Sequence, residues 1–284
     1  MTFKKIHFVT DSTCDLPPDL VEQHHIGVVP CYVNFGGKSY ADDGRDLIRE
    51  NFYADMPHIH PMATTAGPPP GIAERVVADA FEGADHLMIV TAPSSLSGVY
   101  NTLRLAATRL PTDRVTLIDS GMTAMALGWQ VLLGAETAEK TGDLAAVMET
   151  IARVRAVARV YGGLATLDYL RHSGRVGWAS AGIGTLLQIK PIVTVIDGEV
   201  IAVARVRTFS KAVDELLRLT AEQAPLDKLA VLHTHNPDGA HDLHRRLGDM
   251  APPDTIFVNI TPAIGTHIGP GALGVATVSQ TWRN

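Results

Sequence analysis

Cysteine is almost missing from this chain: Cys14 and Cys31 are the two among 284 residues. Two thiols cannot build a disulfide framework, and they suit a reducing compartment. No block of basic residues occurs, and the formal net charge is −6. That argues against nucleic acid as a partner, because phosphate backbones are held by clustered Lys and Arg. No apolar run reaches the roughly 18 residues that a membrane-spanning helix needs. The opening MTFKKIHFVTDS has two lysines but no long apolar stretch after them, so it does not read as a secretory signal. A soluble cytoplasmic protein is expected. Hydrophobic residues make up 46%, enough for a sizeable core and too many for a disordered chain. The length suits one large domain or two of ordinary size.

Several catalytic signatures are absent too. There is no G-x-x-x-x-G-K-[ST] phosphate loop, so no nucleotide site is expected. The serine-rich run at 93–98, PSSLSG, does not match the G-x-S-x-G elbow of serine hydrolases. DSTCD at 11–15 lacks the D-x-D-x-T order of an acyl-phosphate aspartate. Cys14 has no basic neighbour to lower its pKa, which leaves a nucleophilic role without support. His233 and His235, with His241, invite a metal reading, as does PHIHP at 57–61. Neither has H-E-x-x-H or another defined ligand spacing, so no metal is expected, and no cofactor.

What is present is an alternation of strands and helices. Apolar runs at 6–9, 28–33, 86–92 (HLMIVTA) and 114–120 (RVTLIDS) read as strands. Asp15, Pro17 and Pro18 suit the start of a short helix over 19–25, which Gly27 stops. Small-residue turns followed by helical stretches come after the strands, which argues for a parallel sheet covered by helices. The turns at 11–13, 94–98 and 119–121 fall at the strands' carboxyl ends, where ligands bind such sheets. A helix is expected over 144–160. After it KPIVTVIDGEVIAVARVRT alternates around Asp197-Gly198, a strong hairpin signal. Further strands are expected within LAVLHTH and TIFVN, with a helix over 240–247 between them. The fold class is therefore α/β: an N-terminal parallel-sheet domain over 1–161, then an α+β domain with a mixed sheet over 162–284.

Candidate site residues gather in the turns. Ser94 or Ser95 can cap a helix, and exposed N–H groups with free hydroxyls can instead hold a carboxylate or phosphate. Thr64, Thr65 and Gly67 stand in a Pro-rich loop that opens a helix near Ile72. Arg171, His172 and Arg175 lie in a glycine-bearing turn, and Arg205 and Arg207 share one strand face; arginines in such places suit an anion or a solvated surface. In IGTHIGPGALGV, His267 sits among Gly269, Gly271 and Gly274, where backbone can approach a ligand closely. It is the one side chain there that can carry a proton near neutral pH.

The order and spacing of these pieces resemble the DegV family over nearly the whole chain. The resemblance rests on VTDSTCDLP (9–17), VVPCYVNFGGKSYADD (28–43), TTAGPPPG (64–71), SSLSGVYNT (94–102), VTLIDSGMTAMALGWQV (115–131), LDYLRHSGRVG (167–177), IGTLLQIKPIVTVIDGEV (183–200), RVRT (205–208) and THIGPGALGV (266–275). It implies a fatty acid held between the two domains and no nucleotide site of the chain's own. It implies that Thr64 and Ser94 hold the carboxylate with His267 nearby, and that Thr65, Ser97 and Gly98 lie close to it. Arg175 and Arg207 would serve phosphoryl transfer or docking to a separate dihydroxyacetone-kinase-like fatty acid kinase subunit. The chain departs from the family at TTAGP, where T-S-Q-P-S is usual, at Pro93, where the serine pair usually begins, and at Val99 of SGVY. A different reading makes Ser94 or Ser97, with His267, the catalytic pair of a small-molecule hydrolase or transferase.

Overall fold

Buried apolar runs fix the centre of the first sheet. The computed structural model describes residues 5–176 and 189–284; residues 183–188 of the IGTLLQIKP motif lie outside them. The elements begin with β1 (Ile6–Asp11), α1 (Pro18–Gln23), β2 (Gly27–Val29), β3 (Tyr32–Phe35), β4 (Lys38–Ala41), α2 (Arg49–Asp55), β5 (Thr64–Ala66), α3 (Pro70–Phe81), β6 (His86–Thr91), α4 (Val99–Ala107) and β7 (Val115–Asp119). Then come α5 (Met125–Thr141), α6 (Leu144–Val157), β8 (Ala158–Gly163), α7 (Asp168–His172), β9 (Lys190–Ile196), β10 (Glu199–Val206), α8 (Phe209–Ala221), β11 (Leu226–His233), α9 (Pro237–Leu247), β12 (Ile256–Asn259), α10 (Pro262–Ile268) and β13 (Leu273–Ser279).

Every residue of β6 is buried, as is all of β1 except His7. Strands buried on both faces belong in the middle of a parallel sheet with helices over them. The order is β2-β1-β6-β7, with every pairing parallel, and α3, α4 and α5 supply the cover. The second sheet has the order β10-β9-β8-β13-β11-β12. Only β11 and β12 pair in parallel among its described strands, so the sheet is mixed. The hairpin turns at Asp197 (φ 47°) and Gly198 (φ 78°), the two left-handed positions of a tight two-residue hairpin.

Two expectations about element boundaries change. The run at 28–33 divides at Pro30-Cys31: β2 joins the first sheet, while β3 pairs with β4 and β5 in a small antiparallel sheet. Proline lacks the N–H that would continue the ladder. The helix expected over 144–160 ends at Val157, and β8 then runs through the expected boundary at 161/162. β8 lies in the interior of the second sheet, so that sheet begins at Ala158.

α5 joins the layers. It is apolar nearly all round, and a helix of that composition is stable only when covered on all sides. It contacts β1 and β6 of the first sheet and β8 and β13 of the second. Trp129 Nε1 donates to the Ala276 carbonyl at 3.3 Å. Gly128 lets α5 approach the turn after β1: a Cβ there would stand 2.6 Å from the Cys14 carbonyl oxygen. Backbone cannot yield as a side chain can. Gly128→Ala is therefore expected to lower stability by about 1–3 kcal/mol. Gly71→Ala on α3, where a Cβ meets nothing within 4 Å, is expected to be neutral or mildly stabilising. Denaturant unfolding of the two variants checks this, and equal effects would refute it.

Candidate functional site

Loops at the carboxyl ends of β1, β6 and β7 gather at one edge of the first sheet, as the parallel topology requires. The second sheet faces that edge. Between them lies a cavity of about 200 Å³, walled mainly by apolar side chains such as Leu96, Val160, Leu164, Val193 and Ile264. It exceeds the ~150 Å³ apolar cavity that holds a benzene-sized guest.

Thr65, Ser97, Gly98, Arg175 and His267 line this cavity. Thr65 Oγ1 and His267 Nε2 are 2.9 Å apart. Strand geometry explains why this threonine faces inward. β5 pairs Thr65 with Val33 and Thr64 with Asn34, and successive residues point to opposite faces. Thr64, expected at the carboxylate, is exposed and does not line the cavity. The period-two pattern was available in the sequence, but a three-residue strand inside a Pro-rich loop gave no signal for it.

The serine turn divides its roles. Leu96 N–H and Ser97 N–H both donate to the Pro93 carbonyl, at 3.0 Å each. Ser94, the other residue expected at the carboxylate, is exposed; its N–H donates to Asp119 Oδ2 at 2.9 Å. Ser95 Oγ donates to the Gly198 carbonyl at 2.7 Å, tying this turn to the hairpin tip. Helix α4 starts at Val99, whose N–H donates to Ser97 Oγ at 3.3 Å, so Ser97, rather than Ser94 or Ser95, meets the helix start. Thr13, from the turn at 11–13 expected near a ligand, and Thr123, which the sequence reading did not single out, also reach the cavity wall.

His267 lies in the last turn of α10, where a glycine-rich loop had been expected. Thr261-Pro262 is the signal that points to a helix start there. Burial, reinforced by the Arg175 charge, lowers the His267 pKa to about 4, so the imidazole is neutral at pH 7. Among the described residues no hydrogen bond joins Ser94 or Ser97 to His267, and Nδ1 has no partner. A serine nucleophile needs a base within reach, held by a third group and titrating near working pH. Among the described residues the geometry does not assemble one around Ser94 or Ser97. Arg207 is exposed beyond β10 and does not line the cavity. The histidines near 233–241 are otherwise engaged: His233 Nδ1 accepts from Asn236 N–H at 3.2 Å, and His241 lies against Phe257.

Two buried carboxyl groups hold α10 in place. Asp15 Oδ1 accepts from Thr261 N–H at 2.7 Å, and Asp42 Oδ2 accepts from Ala263 N–H at 3.2 Å and from Ser12 Oγ at 3.0 Å. Arg49 stands 3.9 Å from Asp15 and donates to the Asn259 carbonyl at 2.5 Å. Burial raises both acids, Asp15 to about 7 and Asp42 to about 6, against the opposing pull of Arg49. Among the described residues each keeps one oxygen without a donor, which suits a proton residing there.

These groups give stability two opposing pH trends. Asp15 and Asp42 have folded values above the ordinary 3.8, so their contribution is fully present below that value and is lost as pH rises through 6 to 7. His267 has a folded value below 6.5, so its contribution is present above 6.5 and is lost as pH falls to about 4. His267→Gln is therefore expected to flatten the acid limb. Relative to wild type, the variant should gain roughly 3 kcal/mol between pH 6.5 and 4. Urea unfolding at three pH values measures it, and parallel curves for the two proteins would refute the assignment.

Comparison with known proteins agrees with this architecture. The model of the DegV family of uncharacterised proteins matches residues 5–280. A DegV domain-containing protein of Streptomyces coelicolor is 34% identical over 282 residues, covering 98% of this chain and 99% of that protein. One from Mycobacterium tuberculosis is 35% identical, covering 94% and 95%. Among solved structures, a fatty-acid-binding DegV family protein from Thermus thermophilus superposes with a TM-score of 0.88 at 32% identity, covering 97% of this chain and 99% of that one. DegV of Bacillus subtilis, a fatty acid binding protein, superposes with a TM-score of 0.84 at 25% identity, with the same coverage. A family model spanning almost every residue, and relatives matched end to end, place this chain in the DegV family.

Proposed function

We propose that the chain binds a long-chain fatty acid and presents its carboxylate to a separate kinase subunit that carries ATP. The observation that carries this reading is the apolar cavity with the Thr65–His267 pair and Arg175 on its wall. The fatty-acid-binding relatives described above support it.

The chemistry follows from the two ends of the ligand. Each CH₂ moved from water into the apolar wall contributes about 0.8 kcal/mol. The carboxylate is costly to bury without donors. Thr65 and Ser97 offer hydroxyls, His267 a ring nitrogen and Arg175 a fixed charge. A carboxylate arriving beside His267 offsets the effect of Arg175 and draws a proton toward the imidazole. In the kinase step, a carboxylate oxygen attacks the γ-phosphorus of ATP and ADP leaves, giving an acyl phosphate. This chain has no phosphate loop of its own, so a dihydroxyacetone-kinase-like subunit would hold the nucleotide.

Mass spectrometry of small molecules extracted from the purified protein is expected to find a fatty acid. Titration of delipidated protein should show that Thr65→Ala and Ser97→Ala each weaken palmitate binding by one to two decades, the loss of roughly 1.5–3 kcal/mol for a hydrogen bond to a charged group. Thr64→Ala and Ser94→Ala should bind as wild type does. The reverse pattern would move the carboxylate to the other face of β5. Protein with neither extracted lipid nor affinity for added fatty acid would end the proposal.

The kinase role has its own test. With ATP and the kinase subunit, the loaded protein should yield acyl phosphate, and without that subunit it should not. Arg207→Ala is expected to slow transfer while leaving lipid affinity unchanged, because Arg207 is exposed away from the cavity wall. Acyl phosphate formed by this chain and ATP alone would contradict the division of labour.

A further inference from the structure

We infer that Gly162 is a specificity-determining position whose missing side chain keeps open the trough in which the ligand's tail lies. The inference rests on the fatty-acid reading above and assigns it a residue on the tail side. Gly162 lies within β8, inside the second sheet, and lines the cavity. Glycine inside a strand weakens it, and usually marks a bulge, a tight bend, or close approach by another backbone or a ligand. No register shift interrupts β8 on either side: Gly162 pairs with Gly274 of β13 and with Val193 of β9. Its φ is not in the left-handed region. Among the described residues, a Cβ there meets only Leu164 Cδ2 and Val193 Cγ2, both at 3.8 Å, an ordinary contact distance. Among the described residues, nothing therefore requires glycine at 162.

Its neighbours show the contrast. A Cβ on Gly274 would stand 2.5 Å from the Tyr161 carbonyl oxygen, so the ladder itself requires that glycine. Gly163 points the other way, where a Cβ would meet Ala212 and Leu216 of α8 at 3.4 and 3.5 Å. Along the cavity side of β8 and the residue that follows it, Val160, Gly162 and Leu164 come at period two. Two large apolar side chains thus flank a gap, and Gly274 of the next strand extends it sideways. A gap of this shape receives a narrow apolar chain, and any side chain at 162 would occupy it.

The test separates space for a ligand from a requirement of the fold. Gly162→Ala, Gly162→Val and Gly274→Ala are prepared as delipidated full-length proteins, and thermal midpoints and palmitate affinities are measured. Both Gly162 variants are expected to keep or raise the midpoint, because Ala and Val suit a strand better than Gly. Their palmitate affinity should fall in order of side-chain volume, by roughly tenfold or more for Val, as for a methylene-sized misfit in an apolar pocket. Gly274→Ala should lose thermal stability instead. Gly162→Val with unchanged palmitate affinity overturns the inference, as does a loss of midpoint in Gly162→Ala as large as that in Gly274→Ala. Wild-type protein that binds no fatty acid overturns the fatty-acid reading as well, and so is told apart from failure at Gly162 alone.

Discussion

Asp15 and Asp42 are buried carboxyl groups from the first half of the chain, and each accepts a backbone N–H at the start of α10 in the second half. Burying a carboxyl group is costly unless donors surround it, and removing one partner leaves the other exposed to that cost. The contact therefore holds in one arrangement only. Tyr53 OH extends it by donating to the Ile260 carbonyl at 2.8 Å. A side chain at Gly265 would collide with the Tyr53 ring, so close approach of α2 and α10 depends on that glycine. α10 then delivers His267 to Thr65, and its side chains Ile264 and Ile268 to the cavity wall. The site's polar pair is thus a consequence of acids that do not line the cavity.

A second junction closes the opposite side. The β9–β10 hairpin belongs to the second sheet, yet its tip rests on loops of the first. Gly198 N–H donates to the Gly121 carbonyl at 2.9 Å, Ser95 Oγ donates to the Gly198 carbonyl, and Arg155 stands 3.4 Å from Asp197. The Arg155–Asp197 pair is exposed and contributes little by itself. The two hydrogen bonds through Gly198 set the hairpin's position, and Val193, Val195 and Val200 then form one wall of the cavity. A serine in the motif nominated for ligand contact serves assembly instead.

Much of this was legible from residue pattern. Strands buried on both faces announced a parallel sheet, Asp197-Gly198 announced the hairpin, and polar turns at strand ends announced the edge where the cavity lies. Motif resemblance brought Thr65, Ser97, Gly98, Arg175 and His267 to the same neighbourhood. Thr65 lines the cavity and Thr64 does not, because tertiary pairing with β3 decides which face of this three-residue strand meets it. Ser94 lies off the cavity wall for a related reason: a single turn around the Pro93 carbonyl sends adjacent serines to different partners. The Asp15–Asp42 clamp was not legible at all. Its partners lie 246 and 221 residues away, and they are backbone N–H groups that carry no side-chain signature.

The proposed function puts a carboxylate head in this cavity, beside Arg175 and the Thr65–His267 pair. The most direct measurement is carbon-13 NMR of carboxyl-labelled palmitate bound to the wild-type protein across a pH series. An arginine and hydroxyl donors favour the charged form, so the bound resonance should be distinct from that of the free acid and still report an ionised carboxylate at about pH 4. A bound resonance that titrates like a solvent-exposed carboxyl group, near pH 4.5 on the ordinary scale for such acids, would contradict the claim.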